Sequence, residues 1–386
     1  MIFITSYPYV HERLFNVFRY FKDRTRLMFI LPNNWPAKDG RPVEVPRDDI
    51  ARVIPVPSYF FHSRYPIVRG ILKGWMPRVS SVVRFSGKPG DVLYTAIEPN
   101  LLPTLQNSRL ARRYGLKHVF FTWQNVPYSD RLRGWKLRMT EYIIKRTIRN
   151  SVGAICGNTK AAEIIRRYAP PNFKILVAPI SGVDVERFSP RDSSFRSSYH
   201  LEGKIVITFA GAFDERKGLK TLLDAFAEVR EKNTLVHLAL IGTGRLLPEL
   251  EEITVKRGLK SAVTFIPWLP NAELAGALAE SDIFVYPSEP WRGWEEQFGF
   301  SMAEASACGV PVIATDTGSI SEVIVDGKTG VLVPPRNSRR LAAAITGLAA
   351  DPELRSRLGR SGREHIQNNF SHAMVAEKFE SFFAEL

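Results

Sequence analysis

Short apolar runs alternate with amphipathic helical segments along the whole chain. Each run is rich in β-branched or aromatic residues and is bounded by turn residues, which is the pattern of a buried strand. Strands that alternate with helices predict a mostly parallel sheet with helices on both faces. We predict strands at MIFITS, RLMFILP, ARVIPVPS, DVLYTAI, HVFFTW, VGAICG and KILVAPI, and then at KIVITFAGA, VHLALIG, VTFIPW, DIFVYPS, VPVIATD and GVLVPP.

The length of the chain predicts two domains. Its 386 residues exceed what one hydrophobic core usually organises. We predict two doubly wound, Rossmann-like α/β domains that face a cleft, at residues 1–185 and 186–371, with a last helix at 372–386 that packs back on the first domain. The polar segment 182–204 is predicted to connect them. Because ligands of open α/β sheets bind beyond the carboxyl ends of the strands, the informative residues should follow strands of the second domain.

Composition indicates a folded protein of a reducing compartment. Hydrophobic residues make up 45% and charged residues 24%, which excludes a disordered chain. The two cysteines form no metal-site or disulfide pattern, and no apolar stretch is long enough for a membrane span. We therefore predict a cytoplasmic protein that does not cross a bilayer.

Positive charge is concentrated in the first half. Residues 1–200 hold 33 basic and 14 acidic residues, whereas residues 201–386 hold 20 and 25. Residues 51–90 contain no acid, and residues 131–150 read as a basic amphipathic helix with Trp135, Leu137 and Tyr142 among its apolar residues. Such segments can be ordinary core elements with a solvated rim. Alternatively, they can bind nucleic acid or an anionic membrane surface. We favour the membrane, because no nucleic-acid motif accompanies them.

Two carboxylates follow the strand DIFVYPS. Glu296 and Glu304 are eight residues apart, about 12 Å along a helix, which is roughly the span from sugar to ribose in a nucleotide sugar. Gly299 lies at the predicted helix start, where the amides of Phe300 and Ser301 would bind a diphosphate. The plainer alternative is an amphipathic helix with solvated carboxylates.

The surrounding motifs resemble the retaining glycosyltransferase group 1 family. Its members are similar to glycosyltransferase family 4 and have the two-domain GT-B fold. The resemblance covers about residues 150–370. It rests on the segments ISGVDVERFSP, FAGAFDERKGLKTLLDAF, LIGTG, VTFIPWLPNAELAGALAESDIFVYPS and EQFGFSMAEASACGVPVIATDTGSISEVIVDGKTGVLVPP.

The resemblance implies a role for each matching residue. Glu296 would contact hydroxyls of the donor sugar, Glu304 the ribose diol and Lys217 the diphosphate. A cation suits that last place, because negative charge develops on the departing diphosphate. The remaining predicted donor-site residues are glycines of the strand-end loops and residues whose backbone would face the base, namely Gly211, Gly242, Gly244, Trp268 and Leu269.

The chain departs from the family pattern at three places. Ala212 stands where the family usually has an arginine, so one cation of the diphosphate clamp is missing. Arg216 is the available substitute, although neighbours such as Arg216 and Lys217 seldom point the same way in a tight loop. Gln124 or Asn125 lies where the family commonly has a histidine near the donor sugar, and TSYPYVHERL replaces the glycine-rich loop after the first strand.

Together these features predict a metal-independent, cofactor-free, retaining glycosyltransferase. Its donor would be a nucleotide diphosphate sugar, and its acceptor a lipid-linked or cell-surface glycan precursor in polysaccharide biosynthesis. No metal is expected, because the D-x-[DE] pair Asp184 and Glu186 lies in the connecting segment. The enzyme would work peripherally at the inner face of the membrane, without nucleic acid. The alternatives are a nucleotide-sugar epimerase of the same fold and an inactive nucleotide-sugar-binding subunit.

Overall fold

The chain folds into two α/β units. The computed structural model describes residues 1–6, 14–34, 51–60 and 71–386. One unit comprises Met1–Gly182 together with His372–Leu386, and the other comprises Val183–Ser371. The two predicted basic stretches and the loop after the first strand belong to the first unit. Residues 7–13 of that loop and residues 61–70 of the stretch 51–90 lie outside the described residues.

The first unit is built on a parallel sheet of seven strands in the order β3-β2-β1-β4-β5-β6-β7. All seven runs predicted as strands in the first half are strands. Chain order reverses between β1 and β4, which is the doubly wound arrangement. The strands are β1 Ile2–Thr5, β2 Leu27–Pro32, β3 Arg52–Val56, β4 Val92–Thr95, β5 Lys117–Thr122, β6 Gly153–Cys156 and β7 Lys174–Val177. The helices up to residue 182 include α1 Val79–Ser86, α2 Leu102–Tyr114, α3 Tyr128–Arg131, α4 Gly134–Arg149 and α5 Thr159–Arg166.

The second unit repeats this architecture with six parallel strands in the order β10-β9-β8-β11-β12-β13. Its chain order reverses between β8 and β11, so the loops after these two strands flank the place where such folds bind ligands. The strands are β8 Ile205–Ala210, β9 Val236–Ile241, β10 Val263–Ile266, β11 Ile283–Tyr286, β12 Val312–Thr315 and β13 Gly330–Val333. The helices are α6 Phe195–Ser198, α7 Leu219–Lys232, α8 Leu247–Lys256, α9 Asn271–Ala279, α10 Phe300–Ala307, α11 Ser338–Ala350 and α12 Pro352–Phe370.

The last helix, α13 at His372–Ala384, returns to the first unit. Phe379 is fully buried there and meets Phe18 and Tyr94 edge-on, with ring centroids 6.1 Å apart in both pairs. The two places where the chain passes between the units lie side by side, because the Val183 amide donates to the Phe370 carbonyl at 2.7 Å. The first unit is therefore interrupted in sequence by the whole of the second.

The segment 182–204 is not a loose connection. From Val183 onward it belongs to the second unit, where Phe195 is buried and Arg196 forms a 2.7 Å ion pair with Asp282. Isolated aromatic and charged anchors fix this segment without any periodic pattern, which is why its sequence reads as a linker.

The basic segment 131–150 contains the last residue of α3, a short turn and α4. Ile143, Ile144 and Ile148 are buried, but Trp135 and Tyr142 are 55% and 53% exposed. These two aromatics, predicted among the apolar residues of an amphipathic helix, lie on its exposed side. Tyr142 and Ile144 are two residues apart, which places them about 200° apart around a helix. No helix among the described residues is long and apolar enough to span a membrane.

Candidate functional site

The loop after β8 packs directly against the end of β11. Residues Glu215–Lys217 form a 3₁₀ turn, and Gly218 ends it with a φ of 60°. A Cβ atom on Gly218 would lie 2.0 Å from the Pro287 carbonyl oxygen. Only glycine therefore allows this close approach, which brings Lys217 to the residues that follow β11.

Lys217 and Glu296 form an ion pair in this place, although they are 79 residues apart. The Lys217 Nζ atom lies 2.6 Å from Glu296 Oε2 and 2.5 Å from the Tyr286 hydroxyl. The Tyr286 hydroxyl donates to the same carboxylate oxygen at 2.7 Å, and the Ser288 hydroxyl at 3.2 Å. Tyr286 and Ser288 were not predicted as site residues. Their signal was their position at the end of the strand DIFVYPS, immediately before the motif that contains Glu296.

Both side chains of the ion pair are largely buried. The side chains of Lys217 and Glu296 are only 12% and 9% exposed. Burial by itself raises the pKa of Glu296, but the charge of Lys217 and the hydrogen bonds from Lys217 and Tyr286 outweigh it, so the pKa lies below its ordinary value. The carboxylate is therefore ionised at neutral pH, and a buried cation stands beside it.

Glu296 lies in a loop, not on a helix. The helix α10 begins only at Phe300, after Gly299 with a φ of 81°, so the predicted spacing of 12 Å along one helix does not apply. The Glu296 backbone is held instead by Gly318 and Ser319. The Ser319 amide donates to the Glu296 carbonyl at 2.9 Å, and a Cβ atom on Gly318 would lie 2.0 Å from that oxygen.

The start of α10 lies at the end of β8. The Ser301 hydroxyl donates to the Ala210 carbonyl at 2.8 Å, which places the first turn of α10 beside Gly211. The backbone amides of Phe300 and Ser301 are in this first turn, at the positive end of the helix. Glu304 follows one helical turn later on α10.

Arg216 and Lys217 approach the same side chain. The Arg216 guanidinium carbon lies 4.6 Å from the ring centroid of Trp294, and Lys217 Nζ lies 5.4 Å from it. These neighbours, expected to point apart in a tight loop, both contact the Trp294 ring. Asp214 binds Arg216 as well, with Nη2 2.5 Å from Oδ2 and Nε 3.1 Å from Oδ1.

The predicted glycines bring the neighbouring strand-end loops into contact. A Cβ atom on Gly242 would lie 1.9 Å from the Gly211 carbonyl oxygen, and one on Gly244 would lie 2.3 Å from the Phe213 oxygen. The two other predicted residues follow β10. Trp268 is 62% exposed, and Leu269 lies just before α9.

Gln124 and Asn125 lie in the first unit, after β5. The Gln124 amide is held at both ends, because Arg131 Nη1 donates to Oε1 at 3.0 Å and Nε2 donates to the Val126 carbonyl. Asn125 is buried. The Gln124 backbone amide donates to the Thr122 hydroxyl at 3.1 Å, which fixes the turn.

Glu98, after β4, supports the same turn and was not predicted. Its carboxylate accepts the Thr122 hydroxyl at 2.6 Å and the Trp123 amide at 2.8 Å. Burial raises the pKa of Glu98, although these hydrogen bonds and the charge of Arg131 lower it in part. Among the described residues, no three His, Cys, Asp or Glu side chains come together as metal ligands.

The fold and this arrangement define the class of protein, a two-domain glycosyltransferase fold of the GT-B type. The structure of Anabaena HepE in complex with UDP superposes over 100% of this chain and 99% of that one, with a TM-score of 0.76 and 16% identity. Sucrose-phosphate synthase from Thermosynechococcus elongatus superposes over 100% and 98%, with a TM-score of 0.75 and 19% identity. These likenesses establish the fold.

The second unit is a group 1 glycosyltransferase domain. Residues 190–365 match the family described as glycosyl transferases group 1, which confirms the resemblance seen in the motifs. The chain is 28% identical over 274 residues to a GDP-mannose-dependent alpha-(1-6)-phosphatidylinositol monomannoside mannosyltransferase of Mycolicibacterium smegmatis, covering 68% of each protein. It is 31% identical over 289 residues to a D-inositol 3-phosphate glycosyltransferase of Streptomyces bingchenggensis, covering 71% of this chain and 62% of that protein. It spans between 46 and 68% of the length of the curated relatives compared.

Proposed function

We propose that this protein is a glycosyltransferase that moves a sugar from a nucleotide diphosphate sugar to an acceptor, with retention of the anomeric configuration and without a metal ion. The observation that carries the proposal is the buried pair of Lys217 and Glu296. It lies at the carboxyl ends of β8 and β11, beside the amino end of α10. A cation and the positive end of a helix at such a point suit a diphosphate, and a carboxylate beside them suits sugar hydroxyls.

The division of labour follows from charge. When the bond between the sugar and the diphosphate breaks, negative charge grows on the leaving phosphate oxygen. Lys217 and the amides of Phe300 and Ser301 stabilise that charge. The acceptor hydroxyl attacks the face that the diphosphate leaves, and its proton passes to a phosphate oxygen, so no protein nucleophile is needed. Glu296 orients the sugar, Glu304 binds the ribose, and the backbone near Trp268 and Leu269 faces the base.

A scan of nucleotide sugars and nucleoside diphosphates by thermal unfolding tests the donor class. A ligand present at 100 times its dissociation constant adds about 2.7 kcal/mol to the free energy of unfolding. The stabilising nucleotide sugar is then assayed with candidate acceptors for release of nucleoside diphosphate. Conversion of the donor to an epimer without any acceptor would contradict sugar transfer.

Changing each of the two glutamates to glutamine should affect nucleotide affinity and turnover differently. Glu304→Gln should weaken the intact donor and the free nucleoside diphosphate together, by about 1.5 to 3 kcal/mol, because both contain the ribose. Glu296→Gln should lower turnover but leave nucleoside diphosphate affinity unchanged or improved, because Lys217 loses its carboxylate partner. Titration calorimetry and steady-state kinetics measure both effects. Equal losses of diphosphate affinity would show that the roles are assigned wrongly.

We also propose a lipid-linked acceptor presented at an anionic membrane surface. The exposed side of α4 supports this, because Trp135 and Tyr142 project there among the exposed bases Lys136, Arg138 and Arg146. Beyond α4, Phe85 is 81% exposed. A cavity of about 730 Å³ at the end of α4 is also basic, with Lys145, Arg149, Arg167 and Lys174 among its lining residues. The mycobacterial relative is named for a phosphatidylinositol-linked substrate.

Vesicle binding should depend on the charge of α4. Replacing Lys136, Arg138, Lys145 and Arg146 by glutamine should weaken binding to anionic vesicles at least tenfold, because each basic residue near such a surface contributes about 1 kcal/mol. Cosedimentation at low and physiological salt measures this. The matched control replaces Arg339, Arg340, Arg357 and Arg360, which are exposed in the second unit, and should bind as the wild type does. Equal binding to neutral and anionic vesicles, or to neither, would favour a soluble acceptor.

A further inference from the structure

A small hairpin stands between β11 and α10. Trp291 and Trp294 exchange two backbone hydrogen bonds of 2.9 Å, and the residues between them, Arg292 and Gly293, have φ angles of 46° and 73°. Two central residues with positive φ are typical of the type I′ turn, whose twist matches that of paired strands. The hairpin is thus a defined element of the second unit.

The base of the hairpin is fixed to the loop that contains Arg216. The Glu289 amide donates to the Arg216 carbonyl at 2.7 Å, and the Glu289 carboxylate accepts the Thr221 hydroxyl at 2.6 Å. On the other side, Arg336 Nη2 donates to the Pro290 carbonyl at 2.5 Å. These bonds set the distance between the hairpin and the cations of the site.

At that distance the ring of Trp294 contacts the guanidinium of Arg216. The guanidinium lies 4.6 Å from the ring centroid, within the range of a cation–π contact, while Asp214 binds its edge. A guanidinium has five N–H groups. Asp214 takes two of them, and the others remain to donate to an anion. Lys217 Nζ is 5.4 Å from the same ring, so the two cations lie at most about 10 Å apart, the sum of the two distances.

We propose that Trp294 is a positioning residue that holds Arg216 as the second cation for the donor diphosphate. This inference rests on the proposed function. Lys217 is already matched by Glu296, and no arginine is present at Ala212, so Arg216 is the guanidinium at hand in this loop. A planar guanidinium held by one edge and one face presents its remaining donors in a fixed direction, which suits phosphate oxygens.

The test compares nucleoside diphosphates with monophosphates. UDP, UMP, GDP and GMP are titrated calorimetrically into the full chain, and the ratio of monophosphate to diphosphate dissociation constants reports the contribution of the terminal phosphate. Trp294→Leu should lower this ratio about three- to tenfold and leave monophosphate affinity unchanged, whereas Trp294→Phe should keep most of it. In an Arg216→Ala background, Trp294→Leu should have no further effect, because Trp294 acts through Arg216.

Trp291→Leu is the control within the same hairpin, and it should leave the ratio unchanged. Losses that add in the double variant, or an equal loss of monophosphate affinity, would overturn the inference, since Trp294 would then bind the nucleotide itself or hold the loop together. An unchanged ratio in Trp294→Leu would overturn it as well. A wild-type chain that binds no nucleoside diphosphate in the thermal scan contradicts the proposed function, whereas one that binds a diphosphate with a ratio unaffected by Trp294 contradicts only this inference.

Discussion

Replacing Lys217 by alanine should lower sugar transfer about a hundred- to a thousandfold and the free energy of unfolding at pH 7 by about 3 to 5 kcal/mol. The first effect follows from the proposed role of Lys217, because the departing diphosphate would lose a cation that stabilises its charge. The second arises because Glu296 stays buried and ionised without its partner at 2.6 Å. Kinetics with the intact donor and urea unfolding measure the two losses separately.

The same variant should reverse the pH dependence of this part of the fold. In the wild type the pKa of Glu296 is lowered, so its contribution to stability is present above the ordinary glutamate pKa of 4.5 and is lost as the pH falls through the folded pKa. Without Lys217 the buried carboxyl has a raised pKa, and protonation relieves its cost. The difference in stability between Lys217→Ala and the wild type should therefore be largest at neutral pH and shrink in acid.

Two further variants are controls for this prediction. Lys217→Met combined with Glu296→Gln removes both charges, so it should recover most of the stability but none of the transfer. Lys220→Ala removes a lysine that is 47% exposed and pairs with Glu249, and it should change the free energy of unfolding by less than about 0.5 kcal/mol. Wild-type stability and transfer in Lys217→Ala would refute the role of the pair.

Gly218→Ala should be among the most damaging substitutions of a small residue in the second unit. A left-handed φ of 60° costs alanine about 1 to 2 kcal/mol. In addition, the new Cβ would lie 2.0 Å from the Pro287 carbonyl, so the loop and β11 must separate, at a further cost of about 1 to 3 kcal/mol. Because that separation moves Lys217 away from Glu296, donor affinity should fall with stability.

Gly258 provides the matched control. Its φ is 66°, but a Cβ atom there would meet nothing within 4 Å. Gly258→Ala should therefore show the conformational cost alone and leave donor affinity intact. Urea unfolding and nucleoside diphosphate titration on the two variants measure the difference. Equal destabilisation in both would mean that the contact with Pro287 relaxes without cost.

The strands could be predicted from the sequence because buried parallel strands are continuous apolar runs, and all thirteen predicted runs are strands. Lys217, Glu296 and Gly299 could be proposed as site residues because they lie in local motifs at strand ends. The partners of these residues could not. The contacts of Tyr286 with Lys217, and of Trp294 with Arg216, depend on how two loops about 70 to 80 residues apart approach each other. The spacing of residues within each motif does not encode that approach. Gly218 permits the close contact, but this role is visible only in three dimensions.

The hairpin and the segment 182–204 show two ways in which a sequence pattern fails to predict a structural role. WRGW is a tight turn between two tryptophans, but its use as a support for a cation is a tertiary property. The segment 182–204 lacks periodicity, yet single anchors such as Phe195 fix it in the second unit. The exposure of Trp135 and Tyr142 shows that helical phase, and not the count of apolar residues, decides which face is buried.

The side-by-side crossings at Gly182 and Ser371 have a consequence for biosynthesis. The first unit cannot complete its core when residue 182 leaves the ribosome, because Val375, Ala376 and Phe379 of that core are still to be made. At roughly 5 to 20 residues per second, translation of the intervening part takes roughly 10 to 40 s. The second unit is therefore complete in sequence first, and the unit that begins the chain is the one that finishes folding last.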